Sequence, residues 1–330
     1  MIKWGIIGCG NVTEIKSGPA FNKVKDSSLI AVMRRDVALA EDYARRHKVP
    51  RFYSDAADLI NDPEINAVYV ATPPASHAEY ALMSIKAGKP VYIEKPMALN
   101  YKECKKINEA AEKFNVPVFV AYYRRTLPGF LKVKELINSG VIGNIRFVRI
   151  ELFKTLSEDE KDGKLSWRVN PEVSGGGHFF DLASHQLDWL DFIFGPVIKV
   201  QSIVLNQANL YRAEDYVSAE FLFHDNIAGT GTWCFNVHPG CERDSIEIFG
   251  EKGAIKFSCF TFEPIVLTTG IRTLEFVNER PEHVQFFLIE QVVAELMGKG
   301  SASGTGLSAA RTSKVMDEIV AEYYKDKRQK

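Results

Sequence analysis

The sequence predicts an α/β chain of two domains. Residues 1–120 form a doubly wound parallel sheet, and residues 121–330 form an α+β domain on an antiparallel or mixed sheet. Three observations predict this. A length of 330 residues suits two domains that each bury a core. Short apolar runs alternate with amphipathic helical stretches through the first third, the pattern of right-handed β-α-β crossovers. After Ala121, strands follow one another with no helix between them, which parallel pairing does not allow.

Each element has a local reason. Trp4-Gly5-Ile6-Ile7, Leu29-Ile30-Ala31-Val32, Ala67-Val68-Tyr69-Val70 and Val91-Tyr92-Ile93 read as strands buried on both faces. Each is a short apolar run stopped by glycine, charge or proline. Helices are expected between them at Val37–His47 and 75–87. In the latter, Ala78, Ala81, Leu82 and Ile85 share a stripe, and Gly88 stands where a C-terminal cap belongs. A helix over Tyr101–Phe114 leads to a further strand of the same sheet at 116–120. Beyond it, a helix over 127–139 ends at Gly140, and strands are expected at Ile145–Phe153, 199–205, 217–223, 227–235 and 245–249. Val217, Ala219, Phe221 and Phe223 alternate with Ser218, Glu220 and Leu222, a period of two for a sheet with unlike faces. Helices over 282–297 and 307–325, joined by a Gly/Ser linker, close the chain.

Composition excludes several functions. Lys and Arg total 41 against 42 Asp and Glu, so the near-neutral chain has no global reason to hold a polyanion. Neither nucleic acid nor a membrane surface is an expected partner. Hydrophobic residues at 46% and charged residues at 25% rule out wholesale disorder. The dense basic run 325–330 reads as a solvated helix end. Five cysteines (Cys9, Cys104, Cys234, Cys241, Cys259) are an odd count without a C-x-x-C pair, which argues against a disulfide framework and fits a reducing compartment. The apolar stretch after Lys3 stops at Gly8, so no signal peptide is read, and no run reaches the roughly 18 apolar residues of a membrane span. A cytoplasmic protein is expected.

Gly8-Cys9-Gly10-Asn11-Val12-Thr13 follows the first strand and opens a helix, where a dinucleotide fingerprint belongs. Glycines let the backbone turn tightly and approach a pyrophosphate, and the helix N-terminus offers N–H groups to it. Thr13 stands where the third glycine would be. A plain strand–helix turn is the alternative reading of a lone G-x-G. The second strand ends in Arg34-Arg35 before Asp36. Guanidinium groups there grip a 2′-phosphate and stack on adenine, which favours NADP over NAD. The alternative leaves both arginines in solvent and gives the ribose to Asp36.

Ala71-Thr72-Pro73-Pro74-Ala75-Ser76-His77 and Glu94-Lys95-Pro96 follow two parallel strands, at whose carboxyl ends ligands collect. A lysine beside a nicotinamide ring donates to a substrate oxygen; in isolation, Glu94-Lys95 reads as a surface ion pair. Further on, Gly175-Gly176-Gly177 runs into a helix that carries His178, Asp181 and His185. Asp181 and His185 are four apart and share a face, so the carboxylate can orient an imidazole suited to proton transfer. His178, three before Asp181, is expected on the same face. Zinc held by His178, Asp181 and His185 fits the spacing alone, and no metal is expected.

Together these motifs resemble the glucose–fructose oxidoreductase and inositol dehydrogenase (Gfo/Idh/MocA) family. The Gly8-Cys9-Gly10 turn, Glu94-Lys95-Pro96 and the Gly175–Asp181–His185 block match it in order and spacing over nearly the whole chain. The resemblance implies a Rossmann domain that binds NAD(P), and a C-terminal domain with a large open, mostly antiparallel sheet that often mediates oligomers. It implies Lys95 as the active-site lysine, with Asp181 and His185 as its acid and histidine. Thr72, Pro74, His77 and Glu94 would line the cofactor, with Gly8, Gly10, Asn11, Val12, Arg34 and Arg35. Trp167-Arg168 would lie around nicotinamide and substrate, and Tyr122-Tyr123, followed by Arg124-Arg125, would line the pocket. Thr13 departs from the family pattern, while Arg34-Arg35 is similar to NADP-using members.

The expected activity is hydride transfer between nicotinamide, NADP preferred, and a secondary alcohol or ketone of a sugar, inositol or related cyclic polyol or diol. His185 would act as acid/base, Lys95 would hydrogen-bond the reacting oxygen, and Asp181 would orient His185 or substrate hydroxyls. Which of Lys95 and His185 moves the proton stays open. Two alternatives are a redox-neutral, nicotinamide-dependent glycoside-cleaving enzyme and a dinucleotide-binding regulatory protein without turnover. A homodimer or homotetramer is expected, because the second sheet would otherwise leave an apolar face open.

Overall fold

A computed structural model describes residues 1–325, so the basic run from residue 326 onward lies outside the described residues. The chain divides into two compact units. The first comprises Met1–Thr126 and Pro281–Ala310; the second comprises Leu127–Arg280 and, among the described residues, 311–325.

In the first unit six strands form one parallel sheet: β1 (Ile2–Ile7), β2 (Ser27–Met33), β3 (Arg51–Tyr53), β4 (Ala67–Val70), β5 (Val91–Ile93) and β6 (Val118–Val120). Their order is β3-β2-β1-β4-β5-β6, the doubly wound Rossmann arrangement, with its switch point between β1 and β4. Every residue of β4 and β5 is buried. Val68, Val70, Val91 and Ile93 pack on one face with Ile85 and Ile107. Alternation turns Tyr69 and Tyr92 to the other face, where Trp4, Phe21, Tyr69 and Tyr92 form an aromatic row with neighbouring centroids 4.9–5.3 Å apart.

Caps set the helix ends. Asp36 accepts from the Leu39 amide at the start of Val37–His47, and Asn100 accepts from the Glu103 amide at the start of Tyr101–Phe114. The helix expected at 75–87 is a short 3-10 turn, Pro74–Ser76, running into His77–Lys86, and Gly88 follows it at φ +72°. The expected division placed residues 121–330 in one piece; in compactness, residues 281–310 go with the first unit instead. The physical reason is a set of fixed contacts: Val120 N–H donates to the Gly304 carbonyl at 2.8 Å, and Tyr92 Oη donates to Gln285 Oε1 at 2.9 Å.

In the second unit eight strands form the other sheet. They are β7 (Ile145–Phe153), β8 (Val197–Leu205), β9 (Tyr216–Phe223), β10 (Ala228–Cys234), β11 (Arg243–Gly250), β12 (Gly253–Phe257), β13 (Ile265–Thr269) and β14 (Arg272–Phe276). The order is β14-β13-β12-β11-β7-β10-β9-β8, antiparallel everywhere except between β7 and β10. Strands β3 and β12–β14 are additions to the sequence expectation. One face of the sheet packs on the helix His178–Phe194: Phe179 meets Trp233 at 5.1 Å, Trp189 meets Phe257 at 5.1 Å, and Trp233 Nε1 donates to Gln186 Oε1 at 2.7 Å. Elsewhere on the sheet Ile198 and Ile203 are exposed, and Phe147 stacks on Phe249 at 4.4 Å.

Candidate active site

The first unit assembles its motif residues at the carboxyl ends of β1, β2, β4 and β5. Gly8 takes φ +91°, and a Cβ there would lie 2.6 Å from Thr72 Cγ2, so glycine is required both by conformation and by the approach of the Thr72 loop. A Cβ on Gly10 would meet nothing nearer than the Gly8 carbonyl oxygen at 3.9 Å; the backbone there is bare toward open space. Thr13, wholly buried, does the work of a cap: its Oγ1 accepts from Gly10 N–H at 3.1 Å and donates to Gly10 O at 2.8 Å. Asn11 and Val12 open the helix Asn11–Ile15, whose first amides have no intrahelical acceptor. Arg34 reaches back over this turn to the Cys9 carbonyl at 3.4 Å, and Arg35 is exposed. Burial pushes the Cys9 thiol up to about 11, so it is not a nucleophile at neutral pH.

His77 is fully buried. Its ring faces two main-chain carbonyls, Thr72 O from Nε2 at 2.6 Å and Pro96 O from Nδ1 at 3.0 Å, which ties the loops after β4 and β5 together. Burial draws its pKa below the usual histidine value. Pro74 is buried in the same loop, and Ser76 Oγ donates to Thr72 Oγ1 at 2.8 Å. His77 thus bridges the loops that follow β4 and β5.

Glu94 is the centre of a buried network. Its Oε1 accepts from Tyr69 Oη and from Gln285 Nε2, each at 2.5 Å, and its Oε2 accepts from the Lys95 amide at 3.1 Å. Tyr69 Oη also lies 3.1 Å from Ser17 Oγ. Burial, with the Glu94 charge nearby, raises both Tyr69 and Tyr92 well above the ordinary phenol value, so both remain neutral donors. The Glu94-Lys95 step is thus a backbone-braced turn and not a surface ion pair. Tyr122 and Tyr123 are buried at the end of this unit, with the Arg124 guanidinium 5.0 Å from the Tyr123 ring and Arg125 donating to Ser303 O at 2.8 Å.

In the second unit the triple glycine has steric causes. Gly175 takes φ +88°, a Cβ on Gly176 would strike the Phe180 ring, and one on Gly177 would lie 2.8 Å from Ala213 Cβ and Glu214 O. Glu214, wholly buried, accepts from Gly177 N–H at 2.8 Å and from Tyr324 Oη at 2.5 Å, which fixes the start of the helix His178–Phe194. Burial raises the Glu214 carboxyl above the usual carboxylate value. On that helix Asp181 is partly exposed and accepts from Arg168 Nε at 3.2 Å, while Arg168 lies 4.5 Å from the exposed Trp167 ring. His185 is 3% exposed, one turn further on, with Phe260 edge-on at 6.1 Å.

His178 goes elsewhere. Its Nε2 lies 2.6 Å from Glu160 Oε1, a carboxylate held down to about 2 by that histidine and by Ser157. Among the described residues, no group of three or more His, Cys, Asp or Glu side chains is arranged to hold a metal ion. No described helix is long and apolar enough to cross a membrane.

The structure therefore links Gly8, Gly10, Arg34, Thr72, His77, Glu94 and Lys95 in one unit, and Trp167, Arg168, Asp181 and the His185 helix in the other. Sequence reasoning missed Gln285, Tyr69, Tyr92, Glu214, Tyr324 and Glu160, all of which act through distant pairing.

The chain is similar to known proteins. Residues 2–122 match the oxidoreductase family model with an NAD-binding Rossmann fold, and residues 130–256 match the GFO/IDH/MocA C-terminal domain. Oxidoreductase P35 of Formosa agariphila is 44% identical over 319 residues, 96% of this chain and 97% of that protein. Levoglucosan dehydrogenase of Pseudarthrobacter phenanthrenivorans is 33% identical over 166 residues, 50% of this chain and 42% of that enzyme. A solved levoglucosan dehydrogenase in complex with NADH and levoglucosan has a TM-score of 0.86 at 23% identity, covering 98% of this chain and 97% of that one, a likeness of fold.

Proposed function

The chain belongs to the Gfo/Idh/MocA family of oxidoreductases, and from that premise we propose that it is an NADP-preferring dehydrogenase of a sugar, inositol or related cyclic polyol or diol. The observation that carries the reading is the braced Glu94-Lys95 turn beside the switch point of the first sheet. Relatives named for action on levoglucosan and on trans-1,2-dihydrobenzene-1,2-diol support the substrate class.

A nicotinamide dinucleotide fits the first unit, because the bare Gly10 backbone leaves room where any larger residue would place a Cβ. When bound, it supplies the carbon that accepts or donates hydride. Gly8, Gly10, Asn11 and Val12 would hold the pyrophosphate, and Arg34 and Arg35 the 2′-phosphate. NADP is favoured because two guanidinium groups, Arg34 and Arg35, stand exposed at the end of β2 ahead of Asp36. Thr72 and Pro74 shape the loop that His77 holds, and Glu94 sets the backbone from which Lys95 projects.

Lys95 donates a hydrogen bond to the reacting oxygen and stabilises developing alkoxide charge. His185 takes or returns the hydroxyl proton, and Asp181 orients it or the substrate's hydroxyls. Tyr122, Tyr123, Trp167 and Arg168 shape the substrate's surroundings. Residues from 121 onward carry substrate binding and, through the exposed apolar side chains of the second sheet, assembly as a homodimer or homotetramer. Five free cysteines fit a cytoplasmic protein.

The test is cofactor reduction against a panel of sugars, inositols and diols, with NADP and NAD compared. Turnover with a preference for NADP is expected, and Lys95→Ala and His185→Ala should each lose about a hundredfold or more in kcat. Equal affinity for the two cofactors removes the NADP assignment, and unimpaired turnover in both variants removes the catalytic one.

A further inference from the structure

A cavity of about 470 Å³ opens in the second unit, within the roughly 300–1,000 Å³ usual for small-molecule sites. Its walls come from the ends of β7 and β10, from the turn after β7, and from His178, the first residue of the helix that carries Asp181. Ser166 in its wall directly precedes Trp167-Arg168, which the proposed function sets around the substrate.

Its charges are largely spent. Glu160 Oε1 is held by His178, and its Oε2 accepts from the Ser157 amide and hydroxyl at 2.9 and 2.7 Å. Lys164 lies 3.8 Å from Asp159 and 4.0 Å from Asp162. Lys154 differs. Its backbone is pinned at the sheet end, N–H to Cys234 O at 2.8 Å and O to Val237 N at 3.2 Å. Its partly buried side chain lines the cavity, and among the described residues its ammonium has no carboxylate partner. Phe235, nearly wholly buried, packs 5.4 Å from the His178 ring and makes that part of the wall apolar.

We infer that this cavity recognises the carboxylate of an acidic sugar, a uronate or aldonate, with Lys154 as its ion-pair partner. One uncompensated ammonium matches one negative charge. With Glu160 held by His178 and Asp159 beside Lys164, Lys154 adds a single positive charge to the wall, which balances a carboxylate and leaves a doubly charged phosphate half neutralised. The inference narrows the substrate class and, for its catalytic consequence, rests on the polyol dehydrogenase reading above.

The experiment measures binding and turnover separately on the full chain. Calorimetry compares glucuronate, galacturonate and gluconate with glucose, galactose and glucose 6-phosphate; cofactor reduction is then followed with the same compounds. At least one acidic sugar should bind about tenfold or more tighter than its neutral and phosphorylated counterparts. Lys154→Met should lower the ratio of acidic to neutral affinity by about tenfold to a hundredfold, the worth of a charge-assisted hydrogen bond. The wild-type preference decides the matter even if the variant does not fold. Absence of acidic-sugar binding, equal binding of acidic and neutral sugars, or tighter binding of the phosphate overturns the inference. Lys154-dependent binding without turnover supports it while removing the dehydrogenase reading. Turnover without acidic preference does the reverse.

Discussion

Replacing Gln285 with leucine tests whether the Lys95 turn is held from behind. Gln285 is wholly buried, gives its amide N–H to Glu94 Oε1 and takes the Tyr92 hydroxyl on its own Oε1. Leucine fills a similar volume but makes neither bond. The hydrogen bond to a charged group is worth about 1.5–3 kcal/mol, and the stranded Tyr92 hydroxyl costs about 1–3 kcal/mol more. The apolar side chain offsets part of this through burial, leaving a net loss of about 2–4 kcal/mol. For a unit of this size each kcal/mol moves the melting temperature by roughly 2–4 °C, so a drop of about 4–16 °C is expected by circular dichroism. The Lys95 amide shares the same carboxylate, so kcat should fall about tenfold to a hundredfold with a smaller change in KM. A melting temperature within about 2 °C of wild type, with kcat unchanged, would refute the bracing argument.

Two further perturbations probe other parts of the site. Thr13→Val keeps the shape and removes both contacts to Gly10, so dinucleotide affinity by fluorescence titration should weaken about threefold to thirtyfold, the equivalent of about one or two hydrogen bonds; affinity within a factor of about two of wild type would show that the turn holds without that clasp. Glu160 is held down to about 2, chiefly by its hydrogen bond to His178, against 4.5 for a free glutamate. Its contribution, at most about 3 kcal/mol, is therefore complete above pH 4.5 and is lost as pH falls toward 2. Urea midpoints of wild type and Glu160→Gln should differ at pH 6 and converge across that acid window, and parallel curves would contradict the assigned cause.

What was legible in the sequence follows from what periodicity records. Strands β4 and β5 are buried on both faces, so they appear as uninterrupted apolar runs, and β9 shows its one buried face as strict alternation. The helix Tyr101–Phe114 carries its own stop and start signals in Asn100 and Asn115. Strand β14 exposes four of its five residues and β3 is three residues long at a sheet edge, so neither leaves a hydrophobic trace. Within the site, the place of Gly8 between a strand and a helix is legible from local pattern, whereas Lys95 and Asp181 stand out only when the motifs are taken together as a family resemblance. Thr13 is half legible: a missing glycine is visible, but the reciprocal bond to Gly10 that makes threonine fit is not.

Partnership over long distances has no periodic signature at all. Gln285 stands 191 residues from Glu94, and Glu214 stands 37 from Gly177. The one trace such residues leave is a polar side chain set against apolar neighbours, as Gln285 is before Phe286-Phe287-Leu288-Ile289. A buried amide there costs free energy unless it is paired, and the helix itself has no need of it. That cost is a physical reason to look for a partner elsewhere in the chain. In this fold the partner is the carboxylate whose other oxygen accepts from the Lys95 amide.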